Sequence, residues 1–265
     1  MDTWHASHYT EVDSAADPAA LAACMDVVAN CGGIDAGRRL VADRLMLGPG
    51  AALLDLGCGT GDQTRDLAAR VLPGGRAVGM DLSQTMIGVA RQRSAGTDLP
   101  VEFETGDAQK LRFDDDTFDA CRTERMLIHV PDARAALAEM VRVTRPGGRV
   151  GIIDADIESI IFNSTDRQLT RRIVASFADS FQNGWIGRQL AGLMTEAGLV
   201  ALNVEPYVML FHTEVSATII DPHLAVMVAN GDIAAEAAGR WRAQVFDDAL
   251  SPVAMTMYTA VGEKA

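Results

Sequence analysis

Lysine is almost missing from this chain: of its 23 basic side chains only Lys110 and Lys264 are lysine, and the other 21 are arginine. The arginines are scattered singly among 36 acidic residues, and at a net charge of −13 no stretch supplies the clustered positive field that a phosphate backbone requires. Nucleic acid is therefore not an expected partner, and the negative balance opposes anionic lipid as well. Long hydrophobic runs are also lacking; none approaches the roughly 20 apolar residues that span a bilayer. The opening residues Met1-Asp2-Thr3-Trp4-His5 lack the basic and then apolar pattern of a secretory leader, so the expected localisation is cytoplasmic. Cysteine is sparse. Cys24, Cys31, Cys58 and Cys121 form no CxxC pair and have no histidine companion at zinc spacing, which predicts reduced thiols and no metal.

What is present is core-forming material. Apolar residues make up 48% and charged ones 22% of 265 residues, the composition of a soluble globular protein with one large domain, or one domain with a cap. Helical spacing of apolar residues marks segments at about 14–30 and 35–47, before the Gly48-Pro49-Gly50 break. Ala51 to Leu56 then reads as a short, nearly all-apolar strand of the kind buried on both faces. A helix at about 62–72, a strand at 77–81, a helix at about 83–93, strands at 101–105 and 118–123, a helix at 132–144 and a strand at 149–154 follow. Strands separated by helices imply a parallel sheet covered on both faces. Past residue 155 the rhythm changes: helices at about 165–182 and 187–197, a strand at 201–211, helices at about 215–229 and 232–249, and a last strand at 255–261 that returns to the sheet. Three regions are expected: a helical lid over 1–34, a core over 35–155, and, over 156–265, helical cap insertions plus the final strands of the same sheet.

The most informative stretch is Leu53-Leu54-Asp55-Leu56-Gly57-Cys58-Gly59-Thr60-Gly61-Asp62, a strand that runs through three alternate glycines into a helix. Glycine there lets the backbone turn sharply and lets a ligand touch it. A dinucleotide fingerprint would carry its third glycine where Asp62 stands, and a carboxylate at the helix start opposes pyrophosphate. The loop suits a ligand that is neutral or positive at that point. S-adenosylmethionine meets the requirement, with its cationic sulfonium and ammonium and no phosphate. Asp81, ending Val78-Gly79-Met80-Asp81, can accept both ribose hydroxyls; the alternative is a helix N-cap, a task that Ser83 can also perform. Asp107, in Gly106-Asp107-Ala108 after the third strand, could bind an adenine amino group.

The series LLDLGCGTGD, VGMDLSQTMI, GDAQKLRF, FDACRTERMLIHV and RPGGRVGIID, within about residues 35–155, resembles the class I S-adenosylmethionine-dependent methyltransferases, especially their ubiquinone and menaquinone biosynthesis branch. The resemblance implies an α/β fold: a Rossmann-like seven-stranded sheet, last strand antiparallel, with helices on both faces and a helical cap. It implies S-adenosylmethionine as cofactor. By position it places Asp55, Gly57, Gly59 and Gly61 around the methionyl part, Asp81 with Leu82 at the ribose, Met86 against adenine, Asp107 and Ala108 at the adenine edge, and Thr123 on the sulfur side. Arg38 or Arg39 could pair with the cofactor carboxylate; a solvated helix-face arginine is the alternative.

Methyl transfer from a sulfonium releases a neutral thioether, so positioning and exclusion of water do most of the work. A hydroxyl or carbon acceptor also needs a base. The candidates are His129, after the fourth strand, and Asp154 and Asp156, ending the fifth; His129 could instead cap a turn before Pro131 or pack on the cofactor. Glu124 and Arg125 could form an ion pair across the pocket mouth, or Arg125 could orient an oxygen-rich acceptor. Trp4, His5, His8 and Tyr9 resemble a lid segment, with an ordinary packed terminus as the alternative. Phe162, Phe177, Phe181, Trp185, Met209, Phe211, Met227 and Trp241 are chiefly core by their spacing, with a few lining an apolar acceptor site. Tyr9, Arg125, Phe162 and Trp185 are the substrate-binding candidates.

The expected activity is methyl transfer to a small, largely apolar acceptor, quinone-like or another secondary metabolite. A cofactor-binding protein turned to cyclisation or decarboxylation is the alternative. A nicotinamide-dependent reductase is more distant, since no Tyr-x-x-x-Lys pair is present. The oligomeric state is left open between monomer and homodimer.

Overall fold

The computed structural model describes residues 12–14, 32–211, 213–247 and 253–265. The expected helix at 14–30, apart from Ser14, and the aromatic cluster with Tyr9 lie outside the described residues.

Strands β1 (Ala52–Leu56), β2 (Arg76–Asp81), β3 (Val101–Thr105), β4 (Phe118–Glu124), β5 (Thr144–Ile161), β6 (Leu199–Phe211) and β7 (Val253–Lys264) form one seven-stranded sheet in the order β3-β2-β1-β4-β5-β7-β6. Neighbours from β3 to β5 are parallel, and β7 runs antiparallel to both β5 and β6. β1 has β2 on one side and β4 on the other, which explains its apolar run: Leu53, Leu54 and Leu56 are fully buried. The strand order reverses at β1 and β4. A crevice therefore opens at their carboxyl ends, where open α/β sheets hold ligands.

Helices α1 (Ile34–Arg44), α2 (Asp62–Ala68, extended by a 3-10 turn to Val71), α3 (Gln84–Ser94), α4 (Ala133–Val143) and α6 (Ile186–Glu196) cover the sheet. A cap is built from α5 (Arg167–Asp179), α7 (Thr213–Ala229) and α8 (Ala235–Phe246), with Trp241 at its centre donating from Nε1 to Thr170 Oγ1 at 2.8 Å. One continuous apolar core joins sheet and cap. Among the described residues no helix is long and apolar enough to cross a membrane.

The fifth strand is longer than its apolar pattern suggests. Asp154 and Asp156 read as the end of a strand, yet β7 pairs alongside and carries β5 on through Asp156↔Thr256 to Ile161↔Ala254. That pairing is set by residues about 100 positions away in sequence, beyond the reach of local periodicity.

Candidate active site

The glycine elbow is built by left-handed backbone. Gly57 has φ +64°, and a Cβ there would lie 2.6 Å from Met126 Cγ. The loop is pinned across the sheet: Cys58 N–H donates to the Met80 carbonyl at 3.0 Å, and Gly59 N–H donates to Asp81 Oδ2 at 2.9 Å. Asp81 Oδ1 accepts the Ser83 N–H at 3.0 Å, while Ser83 Oγ caps α3 by accepting Met86 N–H at 3.1 Å. Capping thus falls to Ser83, and Asp81 remains on the wall of the crevice. Burial pushes the Asp81 carboxyl above the usual carboxylate range, against the two backbone bonds that favour its ionised form.

Next to the elbow lies a cleft lined by Arg38, Asp55, Gly57, Asp62, Arg122, Glu124 and Arg125, among others. Glu124 accepts from Arg38 at 2.7–3.1 Å and from Arg122 at 2.8 Å, with Arg125 at 3.6 Å. Burial alone would raise its pKa, but Arg122, Arg125 and Arg38 hold it at about 2. Asp55 accepts from Thr64 Oγ1 at 2.6 Å and lies 3.3 Å from Arg122 Nη1; burial raises its pKa. Arg38, Arg122 and Arg125 face Asp55, Asp62 and Glu124, so the formal charges lining this cleft balance, and its arginines are what a carboxylate could pair with. Arg38 is therefore already engaged with Glu124, and Asp55 with Thr64 and Arg122. Glu124 and Arg125 do form the expected pair. Arg125 itself adopts φ +53°, and its Nε is buried without a hydrogen-bond partner.

Asp62 differs from expectation. It pairs with Arg65 and, at 3.3 Å, with Arg93, so its field on a ligand is partly cancelled and the argument against pyrophosphate from this carboxylate alone is weakened. The stronger argument is the composition of the crevice: Arg125 is the one arginine or lysine among the described residues lining the main cavity. A cationic, phosphate-free ligand fits that surface.

The main cavity holds about 570 Å³ and runs from the elbow into the cap. Gly57, Asp81, Leu82, Met86, Asp107 and Ala108 wall one part of it, and His129, Phe177, Phe181, Met209, Phe211 and Ile220 wall another. Gly59 and Gly61 shape the elbow through positive φ without lining this cavity. Thr123 is fully buried and donates from Oγ1 to the Leu56 carbonyl at 2.9 Å, fixing the end of β1, and it is not among the residues lining the main cavity.

Four expected residues stand elsewhere. Asp154 is completely buried behind the wall, accepting Ile128 N–H at 3.2 Å and Ala155 N–H at 2.9 Å, and burial pushes its pKa up to about 7. Asp156 is gripped by Arg188 at 2.5 and 2.7 Å. Neither carboxylate is among the residues lining the cavity: Asp154 is spent on backbone amides and Asp156 on Arg188. Phe162 packs on Trp241 at 5.1 Å between ring centroids, inside the cap core. Trp185 is exposed, with the Arg188 guanidinium 4.8 Å over its ring. Of the catalytic candidates only His129 reaches the cavity.

The sequence reading missed several wall residues, among them Val12, Met126, Gln182, Ser216 and Met255. Val12 belongs to a 3-10 turn, Val12–Ser14, whose Asp13 accepts from Ser83 Oγ at 2.6 Å, Gln84 N–H at 2.8 Å and Thr85 N–H at 3.0 Å. No spacing rule links an aspartate at 13 to a helix start at 84. Met255 could have been found from the alternate buried positions of the last strand.

The fold and site together define a Rossmann-like protein with a glycine elbow after β1 and an acid at the end of β2, both beside one cavity. A sequence profile described as a methyltransferase domain matches residues 53–148. A 37.1 kDa protein in transposon TN4556 of Streptomyces fradiae is 36% identical over 85% of this chain, which spans 66% of that relative's length. Demethylmenaquinone methyltransferase of Bacillus cereus is 33% identical over 60% of this chain and 74% of its own. The crystal structure of YcgJ from Bacillus subtilis shares the fold, with a TM-score of 0.65 at 17% identity over 87% of this chain and 98% of that one. The chain belongs to the class I S-adenosylmethionine-dependent methyltransferases and resembles their menaquinone branch; S-adenosylmethionine is its cofactor.

Proposed function

We propose that this chain transfers the methyl group of S-adenosylmethionine to a small, largely apolar, uncharged organic acceptor, quinone-like or another secondary metabolite. One observation carries the reading: the cofactor-side residues and the cap residues wall a single cavity of about 570 Å³. From Ala155 onward none of its described lining residues bears a formal charge, and Gln182 and Ser216 are the polar ones. A phosphorylated or ammonium acceptor would leave its charge uncompensated there.

When bound, S-adenosylmethionine supplies an electrophilic methyl on a sulfonium whose departure leaves a neutral thioether. The chain's own residues do the rest. Asp81 orients the ribose, the arginine cleft receives the carboxylate, and apolar walls keep water from the reacting centre. His129 takes the proton that a hydroxyl or acidic carbon must lose as it is methylated.

The test is incubation with methyl-labelled cofactor and a panel of uncharged phenols, quinols and terpenoid alcohols beside their phosphorylated counterparts. Label in an uncharged acceptor, with one adenosylhomocysteine formed per product, supports the reading. A substrate that cyclises or loses carbon dioxide while the cofactor stays intact replaces it with the non-methylating alternative.

A further inference from the structure

The loop Arg125–Asp132 carries His129, and one residue of the α5–α6 connection holds that loop. Asn183 donates from Nδ2 to the Leu127 and Val130 carbonyls, each at 2.8 Å, and from its backbone N–H to the Ile128 carbonyl at 3.0 Å. Both amide hydrogens are therefore used, and the three bonds bracket His129 along the chain. From the sheet side, Asp154 Oδ2 accepts Ile128 N–H at 3.2 Å. His129 N–H closes the turn on the Met126 carbonyl at 2.9 Å.

Asn183 is itself firmly placed. Its carbonyl accepts Ile186 N–H at 2.9 Å, at the start of α6, and the next carbonyl, Gly184, accepts Ile157 N–H of β5 at 2.9 Å. The two residues before it face the cavity: Phe181 and Gln182 both line it, and the Phe181 ring centroid lies 5.8 Å from that of His129. One short segment thus touches the acceptor space with two side chains and the His129 loop with the third.

We propose that Asn183 is a positioning residue for the transfer, fixing the His129 imidazole against the acceptor chamber through Leu127 and Val130. This rests on His129 acting as the base. The chemistry requires a carboxamide at this length. Aspartate would turn lone pairs toward two carbonyl oxygens, and alanine would leave both carbonyls without their donor.

The experiment compares wild type with Asn183→Ala, Asn183→Asp and Asn183→Gln. It measures amide hydrogen exchange at Ile128 and His129, the His129 ring titration by NMR, cofactor affinity by calorimetry, and kcat and KM. We expect exchange at those two amides to rise about tenfold or more in Asn183→Ala, with protection in β1 unchanged. The His129 midpoint should move upward in Asn183→Asp, and kcat should fall at least about tenfold while cofactor affinity stays within about twofold. Asn183→Gln, which keeps both donors, should recover part of kcat. Unchanged exchange and an unchanged His129 titration would overturn the proposal, as would kcat and cofactor affinity falling together with the melting temperature. If wild type transfers no methyl group, the function proposed above fails by that result, and exchange and ring titration still decide whether Asn183 positions the loop.

Discussion

The Arg38 guanidinium donates to Glu124 from Nε at 3.0–3.1 Å and from Nη2 at 2.7 Å, tying α1 to the end of β4. Glu124 is 7% exposed and also takes Arg122 and Arg125, so one carboxylate organises three cations beside the glycine elbow. The cleft beside the elbow is therefore framed by an ion network centred on a buried carboxylate.

Glu124→Gln keeps the shape and removes the charge. Deleting one partner of a buried pair costs about 3–5 kcal/mol, chiefly because the stranded charges remain buried. Urea unfolding should show a loss of that order, partly reversed in the double variant with Arg38→Gln. The pH dependence follows from a folded pKa of about 2, below the unfolded value near 4.3. Stability from this group is complete above about pH 5 and is lost as pH falls through the window from about 4 to 2.

Much of this was legible in the chain. The nearly all-apolar run of β1, the alternation of strands with helices and the Gly57–Gly61 elbow are local signals, and they located the sheet and the crevice that Gly57 and Asp81 line. The failures share a cause. Asp154, Asp156, Phe162 and Trp185 were placed by their position in sequence, but their roles depend on which partner lies across the sheet or cap: backbone amides for Asp154, Arg188 for Asp156 and Trp185, Trp241 for Phe162. Helical spacing cannot say which face of the cap meets the cavity and which meets its own core.

Asp13 should act on cofactor release. Its carboxylate binds the start of α3 through Ser83, Gln84 and Thr85, while Val12 closes onto the cavity wall. Asp13→Ala removes a capping interaction remote from the sheet core. Stopped-flow measurement should show cofactor release about threefold to thirtyfold faster, with little change in melting temperature. The Ser83 hydroxyl bond, against an opposing burial penalty and with smaller help from the Thr85 and Gln84 amides, holds the Asp13 pKa at about 2. Release from wild type should accordingly show no contribution from Asp13 protonation between pH 7 and 4.

Gly57 should tolerate no side chain. Alanine would adopt φ +64° at a cost of roughly 1–2 kcal/mol, and its Cβ would press on Met126 Cγ at 2.6 Å. Because Gly57 and Met126 both line the main cavity, the displacement falls on the cofactor wall. Calorimetry should show cofactor affinity weakened at least about tenfold in Gly57→Ala. Gly88→Ala, where a Cβ meets open space, should bind normally.

Asp154 gives the opposite pH signature to Glu124. Its folded pKa is raised by burial to about 7, above an unfolded value near 3.9, although two backbone N–H bonds and the Arg125 charge favour ionisation. Between these values the native state holds a proton that the unfolded chain has lost, so stability from this group is complete below about pH 4 and declines as pH rises toward 7. Asp154→Asn cannot titrate. It loses one acceptor for the Ile128 or Ala155 amide, which lowers stability at every pH, but it abolishes the decline. Urea unfolding from pH 4.5 to 8.5 should therefore show the gap between wild type and variant narrowing as pH rises, and equal slopes would mean that the carboxylate stays ionised inside the fold. A narrowing gap accompanied by faster exchange of the Ile128 amide in the variant would tie the same carboxylate to the loop that carries His129.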